Sequence, residues 1–566
     1  MLLNALVSLR LKQILPITQW LPNYHPAWLK SDLVAGLTLA AYAIPVALAY
    51  ASLAGLPSQV GLYCYMLGAF GYALLGTSRQ LAIGPTSAIS ILVGVSLAPL
   101  VSNDPNRYQA LAALTALLVT IICVLAWLFK LSQIVNFISE PILTGFKAGA
   151  ALQIASTQLP KFLGVPAGGD NFFSRLWDLS QHWQAIHFPT VLVGVMALGC
   201  LLLGEIWLPG QPVSLAVVIL AIGAMAITGL PAQGVNVVGQ IPQGLPTLGL
   251  PVWSLGDLNT LLPLALACFL LSYVEGISTA RSFAIKHGYS ISAEQELLAM
   301  GAANLAAGLG QGYPIAGGLS QSAVNEKAGA KTPLAIVITA CIIALVLLFF
   351  TGFFRNLPTA VLAAIVLVAV KGLINLRELR HLQRVSRLEF RVALIALVGV
   401  LLLGVLKGVL LAAIASLLLL IHSAAHPTTA VLGQIPGTNQ FSDYERHPNN
   451  HLIPGVFIYR VNGSLLYFNF ENIEKDLWRR LDQGDIPIQG MIFDLGSSPN
   501  IDTPAARWLA VLSEKLAKQG ITLQLVNANG SVRDRLRAEG LEEKIGSLDR
   551  MITIDTLIAE FKRQNP

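Results

Sequence analysis

Hydroxyl and amide side chains cluster at two places where glycine and proline break the otherwise apolar sequence. The first cluster, residues 84–90, begins with Gly-Pro, and the second, residues 317–325, begins with Gly-Gly. The side chains that could donate hydrogen bonds to a ligand are Thr86, Ser87, Ser320, Gln321 and Ser322. A helix start exposes unpaired N–H groups and a partial positive charge, and proline suits its first turn. Two such starts facing each other would bind an anion without a buried cation.

Both clusters also have a less specific interpretation. Serine and threonine on membrane helices commonly bond to their own backbone. A glycine or proline break can also be an ordinary kink that neighbouring helices fill. Interrupted spans at corresponding places in two halves of a chain nevertheless favour a transporter's substrate site.

Glu275 is the most informative ionisable residue, because it lies inside the apolar stretch 269–277. A carboxylate in hydrocarbon is costly, so such residues usually face a cavity, take up a proton or pair with a cation. If proton and anion binding favour each other, the result is symport, and Glu275 is our candidate for proton coupling. The alternative is a structural ion pair, for instance with Arg281. For Glu140 and Lys147, near predicted helix ends, we expect packing and snorkelling.

Composition excludes an ordinary soluble enzyme, because only 12% of the 566 residues are charged and the mean hydropathy is +0.65. The ATP-binding pattern GxxxxGK[ST] is absent from the sequence. We therefore expect no enzyme activity and no cofactor, with energy drawn from a proton gradient or, alternatively, a sodium gradient. The five cysteines stand singly within apolar runs, which favours neither a disulfide framework nor a metal site.

Apolar stretches of membrane length, about 20 residues each, recur through the first three quarters of the chain. We predict spans at residues 32–53, 60–77, 82–100, 108–130, 134–159, 188–207, 212–230, 258–283, 294–309, 318–329, 333–353, 358–374, 390–406 and 408–425. The two clusters fall at spans three and ten, as half-helices that begin near Thr86 and Ser320. Because each half has an odd number of spans, seven, the second half must insert into the membrane with the opposite orientation to the first. The expected fold is therefore an α-helical polytopic membrane protein of 7+7 inverted repeats.

The distribution of charge gives the orientation. One short polar connection holds Lys371, Arg377, Arg380, Arg384, Arg387 and Arg391, whereas residues 211–280 contain no lysine or arginine. By the positive-inside rule, this connection and both termini are cytoplasmic. A nucleic-acid partner is disfavoured, because the basic cluster is wedged between two spans. We expect a multi-pass protein of the cell membrane, specifically a bacterial inner membrane.

Three regions follow from these patterns. Residues 1–31 form a cytoplasmic N-terminal segment, residues 32–428 a transmembrane transport domain, and residues 429–566 a soluble cytoplasmic α/β domain. In the last region we predict a hairpin of strands 456–459 and 464–468 around Asn462-Gly463. Further strands are predicted at 490–495 and 522–526, with helices near 473–481, 503–519 and 531–539.

Several motifs resemble the sulfate permease family (SulP, solute carrier 26) along nearly the whole chain. They lie in residues 57–63 with 76–79, in 139–150, in 238–246, and in 295–304 with 320–325. The C-terminal region resembles the STAS module (sulfate transporter and anti-sigma-factor antagonist) that is appended in this family. The resemblance implies an anion transporter in which a core moves against a gate. It also implies a homodimer and a possible cytoplasmic protein partner of the STAS domain.

The resemblance also assigns roles to residues. Tyr50 matches an aromatic position that lines the family's site, although an interfacial or packing tyrosine is the alternative. Glu275 matches an acidic residue linked to proton-coupled members. Gln321 stands where many members carry arginine, so the anion would rely on helix dipoles, hydroxyls and amides. Thr503 matches a phosphorylated residue of anti-sigma-factor antagonists, and capping by Asp502 or Thr503 is the favoured alternative.

These observations favour secondary active anion transport, with sulfate taken up by proton symport as the leading hypothesis. Bicarbonate or a dicarboxylate, with sodium as a possible coupling ion, is the first alternative. A membrane-anchored signalling scaffold that acts through the STAS domain is the second. The proposed substrate-binding residues are Tyr50, Thr86, Ser87, Ser320, Gln321 and Ser322, with Glu275 for proton coupling and Thr503 as a possible phosphosite.

Overall fold

The structure is a computed structural model. It describes residues 15–101, 104–132, 140–166, 168–169, 171–208, 211–228, 233–482 and 487–564. The start of the predicted N-terminal segment (1–14), the start of the predicted fifth span (134–139) and the end of the seventh (229–230) lie outside these residues. The chain forms two compact units, Met1–Ser416 and Leu417–Pro566.

The first unit is almost entirely helical. Its α-helices are α1 (Ile17–Trp20), α2 (Leu29–Leu53), α3 (Ser58–Leu75), α4 (Ser87–Leu97), α5 (Pro105–Leu128), α6 (Glu140–Leu163), α7 (Phe172–Gln181), α8 (Phe188–Trp207), α9 (Val213–Thr228), α10 (Leu255–His287), α11 (Ala293–Leu309), α12 (Leu319–Lys327), α13 (Leu334–Leu345), α14 (Thr359–Lys371), α15 (Leu376–Val385), α16 (Arg387–Leu403) and the first part of α17 (Val405–Ala425). Two short strands, β1 (Ile83–Gly84) and β2 (Ala316–Gly317), precede α4 and α12.

Every predicted span overlaps a helix of the structure. Within the described residues, six helical stretches are by themselves long and apolar enough to cross a membrane. They are Pro26–Leu53, Pro105–Leu128, Phe188–Trp207, Leu255–His287, Leu334–Asn356 and Thr359–Val385. The order of helices thus agrees with the sequence, whereas the number of crossings stays a prediction.

Helix packing in the first unit follows a twofold pattern. The contact between α2 and α13 corresponds to the contact between α10 and α5. The contact between α5 and α11 likewise corresponds to the contact between α13 and α3. In the same way, α6 packs on α16 as α14 packs on α8. Each contact recurs when a helix is exchanged for its counterpart seven predicted spans away. This is the packing that two related repeats produce.

The second unit contains a five-stranded sheet. Its strands are β3 (Thr428–Gln434), β4 (Phe441–Asp443), β5 (Val456–Asn462), β6 (Gly490–Asp494) and β7 (Thr522–Val526), in the order β4-β3-β5-β6-β7. The pairs β4/β3 and β3/β5 are antiparallel, and β5/β6 and β6/β7 are parallel. Its helices are the end of α17, α18 (Phe470–Leu481), α19 (Thr503–Ala517), α20 (Gly530–Ala538), α21 (Leu541–Ile545) and α22 (Ile554–Gln564). Apolar clusters cover both faces of the sheet.

The predicted hairpin in this unit is wrong. Strand β5 pairs with β3 and β6, and Leu465 makes only an isolated parallel bridge with Ile501. The physical reason is burial: the run from Val456 to Tyr459 is buried at every position, as in a central strand that is covered on both faces. Such a strand needs a helical crossover to its parallel neighbour, and α18 follows it.

Helix α18 is tied to the sheet through a partly buried carboxylate, Asp476. Its Oδ2 accepts hydrogen bonds from Thr429 Oγ1 at 2.5 Å, from Tyr459 Oη at 2.9 Å and from Arg480 Nε at 2.7 Å. Burial alone would raise the pKa of Asp476, but these bonds and the Arg480 charge hold it below its usual value. The ionised carboxylate therefore stabilises this unit at neutral pH.

Candidate functional site

The two interrupted spans meet inside the first unit. Strands β1 and β2 pair antiparallel, with Ile83 opposite Gly317 and Gly84 opposite Ala316. Helices α4 and α12 continue from the two strands and therefore leave the pair in opposite directions. A Cβ built on Gly318 would lie 3.4 Å from Thr86 Cγ2, so the two helix starts approach closely. The predicted half-helices at spans three and ten are thus confirmed, each beginning within one residue of the expected position.

Non-helical backbone at membrane depth needs internal hydrogen-bond partners. Asn304 of α11 provides two of them for the segment that leads into β2. Its Nδ2 donates to the Ile315 carbonyl at 3.2 Å, and its Oδ1 accepts from the Ile315 N–H at 3.0 Å. Cys64 of α3 contacts the same segment, with Sγ accepting from the Tyr313 N–H at 3.2 Å. Sequence reasoning treated Cys64 only as an isolated apolar residue.

Helix α12 supplies partners for the other strand. Ser322 Oγ accepts from the Ala82 N–H at 2.9 Å and donates to the Gly318 carbonyl at 2.8 Å. Asn325 Nδ2 donates to the Gln80 carbonyl at 3.0 Å. The Ser322 hydroxyl proton is therefore engaged with backbone, which gives this residue a positioning role.

The helix starts themselves retain unpaired groups. Thr86 and Gly318 precede the first turns of α4 and α12, and neither helix has a side-chain cap. Thr86 Oγ1 is buried and has no hydrogen-bond partner within the described part of the chain. Gln321 Nε2 donates to the Pro85 carbonyl at 2.6 Å, which leaves its second N–H for another acceptor. Together these groups place hydrogen-bond donors and partial positive charge at the two helix starts.

Tyr50 of α2 completes this set. Tyr50 is 6% exposed and Ser87 is 7% exposed, and the two side chains interact. Tyr50 therefore lies at the start of α4 and not at a membrane surface. Of the predicted ligand-binding residues, Tyr50, Thr86, Ser87 and Gln321 are buried together around the paired strands.

Ser320 differs from these residues, because its side chain is exposed to a cavity of about 400 Å³. We call this the Ser320 cavity. Its wall includes Tyr42 and Val46 of α2, and Glu205 of α8. Two cations, Lys327 and Lys371, also line it, and Lys371 Nζ lies 3.6 Å from Glu205 Oε2. The Ser320 cavity thus reaches the N-terminal turn of α12 from an open side.

Glu275 lies on α10, which packs against β2. A Cβ on the next residue, Gly276, would lie 3.8 Å from the Gly317 N–H nitrogen. Glu275 forms no ion pair within 4.0 Å with a described residue. The pairing with Arg281 and the packing and snorkelling of Lys147 stay predictions.

Two further buried carboxylates had no assigned role in the sequence. Glu296 accepts from Tyr72 Oη at 2.8 Å and from the Thr77 N–H at 2.8 Å. Asp32 accepts from the N–H groups of Lys331 at 2.7 Å and Thr332 at 3.1 Å. Such bonds offset the cost of burying charge, so both carboxylates hold loops of the first unit in place. No cluster of three or more His, Cys, Asp or Glu side chains suits a metal ion within the described ranges.

In the second unit, Asp502 caps α19. Its Oδ1 accepts from the Ala505 N–H at 2.9 Å, and its Oδ2 accepts from the Tyr467 N–H at 2.7 Å. The favoured capping interpretation is confirmed for Asp502, and Thr503 is the first residue of the helix. Phosphorylation of Thr503 stays a prediction.

Comparisons with known proteins agree with this architecture. A profile described as "Sulfate permease family" matches residues 29–396, and a profile described as "STAS domain" matches residues 447–557. A relative from Mycobacterium tuberculosis named "Probable sulfate transporter" is 36% identical over 542 residues, 96% of this chain and 97% of the relative. "High affinity sulfate transporter 1" from Stylosanthes hamata is 30% identical over 98% of this chain and 87% of its own.

Solved structures show the same fold. The murine solute carrier 26 family member A9 anion transporter, solved in an inward-facing state, superposes with a TM-score of 0.87 at 23% identity. The match covers 98% of this chain and 94% of that one. The transmembrane domain of a cyanobacterial bicarbonate transporter matches 69% of this chain and 98% of its own, with a TM-score of 0.60 and 24% identity.

Proposed function

Because the chain belongs to the sulfate permease family, we propose that it moves a small inorganic anion across the cell membrane, with sulfate as the substrate. The pairing of β1 with β2 is the observation that supports this most strongly. It sets two helix N-termini side by side at an interrupted place in both halves of the fold. The sulfate transporters among its relatives make sulfate the first anion to test.

The anion binds between the starts of α4 and α12. There it accepts hydrogen bonds from the free N–H groups of both first turns and from Thr86, Ser87 and Gln321, with Tyr50 closing the pocket. Each helix dipole contributes about 0.3–1 kcal/mol, and up to about 2 kcal/mol when partly buried. Several such donors are needed, because an unpaired buried anion costs several kcal/mol. Ser320 receives the anion from the Ser320 cavity, and Ser322 holds β1 in register.

Proton coupling resides in Glu275. While Glu275 is ionised, its negative charge lies on the helix that packs against β2 and disfavours an anion at the adjacent site. A proton on Glu275 removes this repulsion, so the site binds an anion more tightly. By linkage, the bound anion favours the protonated carboxyl to the same extent. Proton and anion then cross together.

Uptake into proteoliposomes tests the proposal directly. Radiolabelled sulfate is offered under an imposed proton gradient, under an imposed sodium gradient, and with unlabelled sulfate, bicarbonate, chloride or succinate as competitors. Accumulation driven by the proton gradient and inhibited best by sulfate is the expected result. Accumulation that follows sodium, with bicarbonate or succinate as the better competitor, would favour the first alternative.

Glu275→Gln separates coupling from binding. The amide keeps the size of the side chain but cannot exchange a proton, so proton-driven accumulation should fall to background while sulfate exchange across the membrane persists. Glu140→Gln, at the exposed start of α6, is the matched control and should accumulate sulfate normally. Unchanged proton-driven accumulation in Glu275→Gln would remove the coupling role. If Glu275→Gln had no effect and deletion of residues 432–566 abolished function, the signalling scaffold would be favoured.

We also propose that the protein assembles as a homodimer and that the STAS domain can bind a cytoplasmic protein. Both suggestions come from family membership. Light scattering of the purified protein in detergent measures the assembly, and a monomer would contradict it.

A further inference from the structure

A second cavity, of about 480 Å³, lies between the ends of α2, α4 and α6, and we call it the Lys161 cavity. It touches α4 at Ile91 and Gly94, one to two turns beyond the helix start at Ser87. Other parts of its wall come from the end of α2 at Ser52 and the end of α6 at Lys161. Since α4 and α12 leave the strands in opposite directions, a cavity along α4 and a cavity along α12 approach the site from opposite ends.

Lys161 is the unusual group in this cavity. Its ammonium is partly buried, lying 3.3 Å from Ser52 Oγ and 3.5 Å from the Ser52 carbonyl. Among the described residues, no carboxylate lies within 4.0 Å of it, and the described wall contains no aspartate or glutamate. Arg175 adds a second cationic side chain to the wall, and the Asp178 carboxylate lies beside Gly168 at its edge.

An uncompensated ammonium at such a place is costly unless something supplies the missing negative charge. Other polar groups of the wall are already engaged: Thr157 Oγ1 donates to the Ile154 carbonyl at 2.7 Å, and Tyr108 Oη donates to the Ala54 carbonyl at 2.8 Å. The ammonium of Lys161 therefore remains the principal group for a ligand of opposite charge. A low-dielectric recess lined by cations also concentrates anions locally.

We propose that Lys161 forms a second anion subsite, which binds a small oxyanion before it reaches the start of α4. Helix α4 connects the two places, because it contributes Ser87 to the central site and Ile91 and Gly94 to the cavity. This subsite rests on the proposed transport function, since its ligand is the transported anion. Its position makes it the counterpart of the Ser320 cavity, on the face opposite the predicted cytoplasmic side.

Charge restoration at Lys161 tests the subsite. Lys161→Cys is made in a chain whose exposed cysteines are replaced (Cys200→Ser, Cys341→Ser), and uptake is measured before and after modification. Loss of the cation should raise the KM for sulfate about tenfold, as for a lost charge-assisted hydrogen bond. Aminoethyl methanethiosulfonate, which restores a positive charge, should return the KM to within about twofold of the parent value. Sulfonatoethyl methanethiosulfonate, which adds a negative charge, should not.

Lys407→Cys is the matched control, because Lys407 is exposed near the start of α17 on the same predicted side of the membrane. Its KM should respond to neither reagent. An unchanged KM in Lys161→Cys, or an equal response to both reagents, would overturn the subsite. The parent chain distinguishes the two proposals. If the parent accumulates no sulfate, the transport proposal is wrong. If the parent does accumulate sulfate, the ratio of the KM of Lys161→Cys to the KM of the parent tests the subsite alone.

A lipid phosphate could provide the same chemistry as a free oxyanion. The KM shift is therefore measured in vesicles of pure phosphatidylcholine and in vesicles that also contain phosphatidylglycerol. A shift of equal size in both supports a small anion as the ligand. A shift that appears only with phosphatidylglycerol would assign Lys161 to a lipid headgroup and overturn the subsite.

Discussion

The hydroxyl of Thr86 is fully buried and has no hydrogen-bond partner among the described residues. A buried hydroxyl without a partner lowers stability, and at a helix start a bound anion would supply the missing partner. Thr86→Val keeps the shape of the side chain and removes this hydroxyl. We expect the KM for sulfate to rise about fivefold to tenfold, the loss of one hydrogen bond to a charged ligand, while thermal stability stays equal or increases.

Thr115→Val is the matched control. Its hydroxyl is equally buried but donates to the Leu111 carbonyl at 2.8 Å within α5. This variant should bind sulfate with unchanged KM. Sulfate uptake and a thermal unfolding midpoint in detergent are measured for both variants. A Thr86→Val protein with parental KM would place the anion away from the start of α4.

Glu275 and Lys147 illustrate why a single sequence underdetermines a charged site. Glu275 is conspicuous, because a carboxylate stands alone in a long apolar run. Lys147 lies near a predicted helix end, where a lysine usually extends to the membrane surface. Lys147 and Glu275 are 128 positions apart along the chain, so no local pattern can relate the two charges.

The short strands β1 and β2 depend on side chains from other helices. Asn304 satisfies both backbone groups of Ile315, and its side chain is fully buried. Asn304→Leu fills the same space without donor or acceptor, so both groups of Ile315 lose their partner. We expect a loss of roughly 3 kcal/mol, at about 1–3 kcal/mol for each orphaned group. The thermal unfolding midpoint in detergent and the maximal uptake rate should both fall.

Leu305→Ala provides the comparison on the same helix, since Leu305 is 42% exposed on the surface of the first unit. Its effect on the unfolding midpoint should be small, because it removes no hydrogen bond. If Asn304→Leu unfolded at the parental temperature, the strands would not depend on this side chain.

The half-helices were predictable, whereas the side chains that hold them were not. Gly-Pro and Gly-Gly followed by hydroxyl residues are local signals, and they located the starts of α4 and α12 to within one residue. By contrast, Cys64 contacts Tyr313 across 249 positions of sequence, and no local pattern indicates such a contact. The hairpin in the second unit failed for a related reason: the Asn462-Gly463 turn signal is local, but burial of β5 on both faces decides its neighbours.

The two cavities and the twofold packing together suggest how an anion crosses the first unit. The paired strands lie at the centre, the Ser320 cavity approaches along α12, and the Lys161 cavity approaches along α4. Lys327 and Lys371 line the first cavity, and by the positive-inside rule this is the predicted cytoplasmic side. Access from two opposite ends to one fixed site is the arrangement that inverted repeats provide.

This arrangement predicts which side of the membrane reaches each cavity. In the chain without Cys200 and Cys341, single cysteines are placed by Ser320→Cys or Lys161→Cys, and a membrane-impermeant maleimide is applied to sealed vesicles of known orientation. Ser320→Cys should react in inside-out vesicles and Lys161→Cys in right-side-out vesicles, because α4 and α12 run in opposite directions from the strands. Saturating sulfate should slow both reactions, since the anion occupies the path between them. Labelling of both cysteines from the same side would contradict the inverted arrangement of the two half-helices.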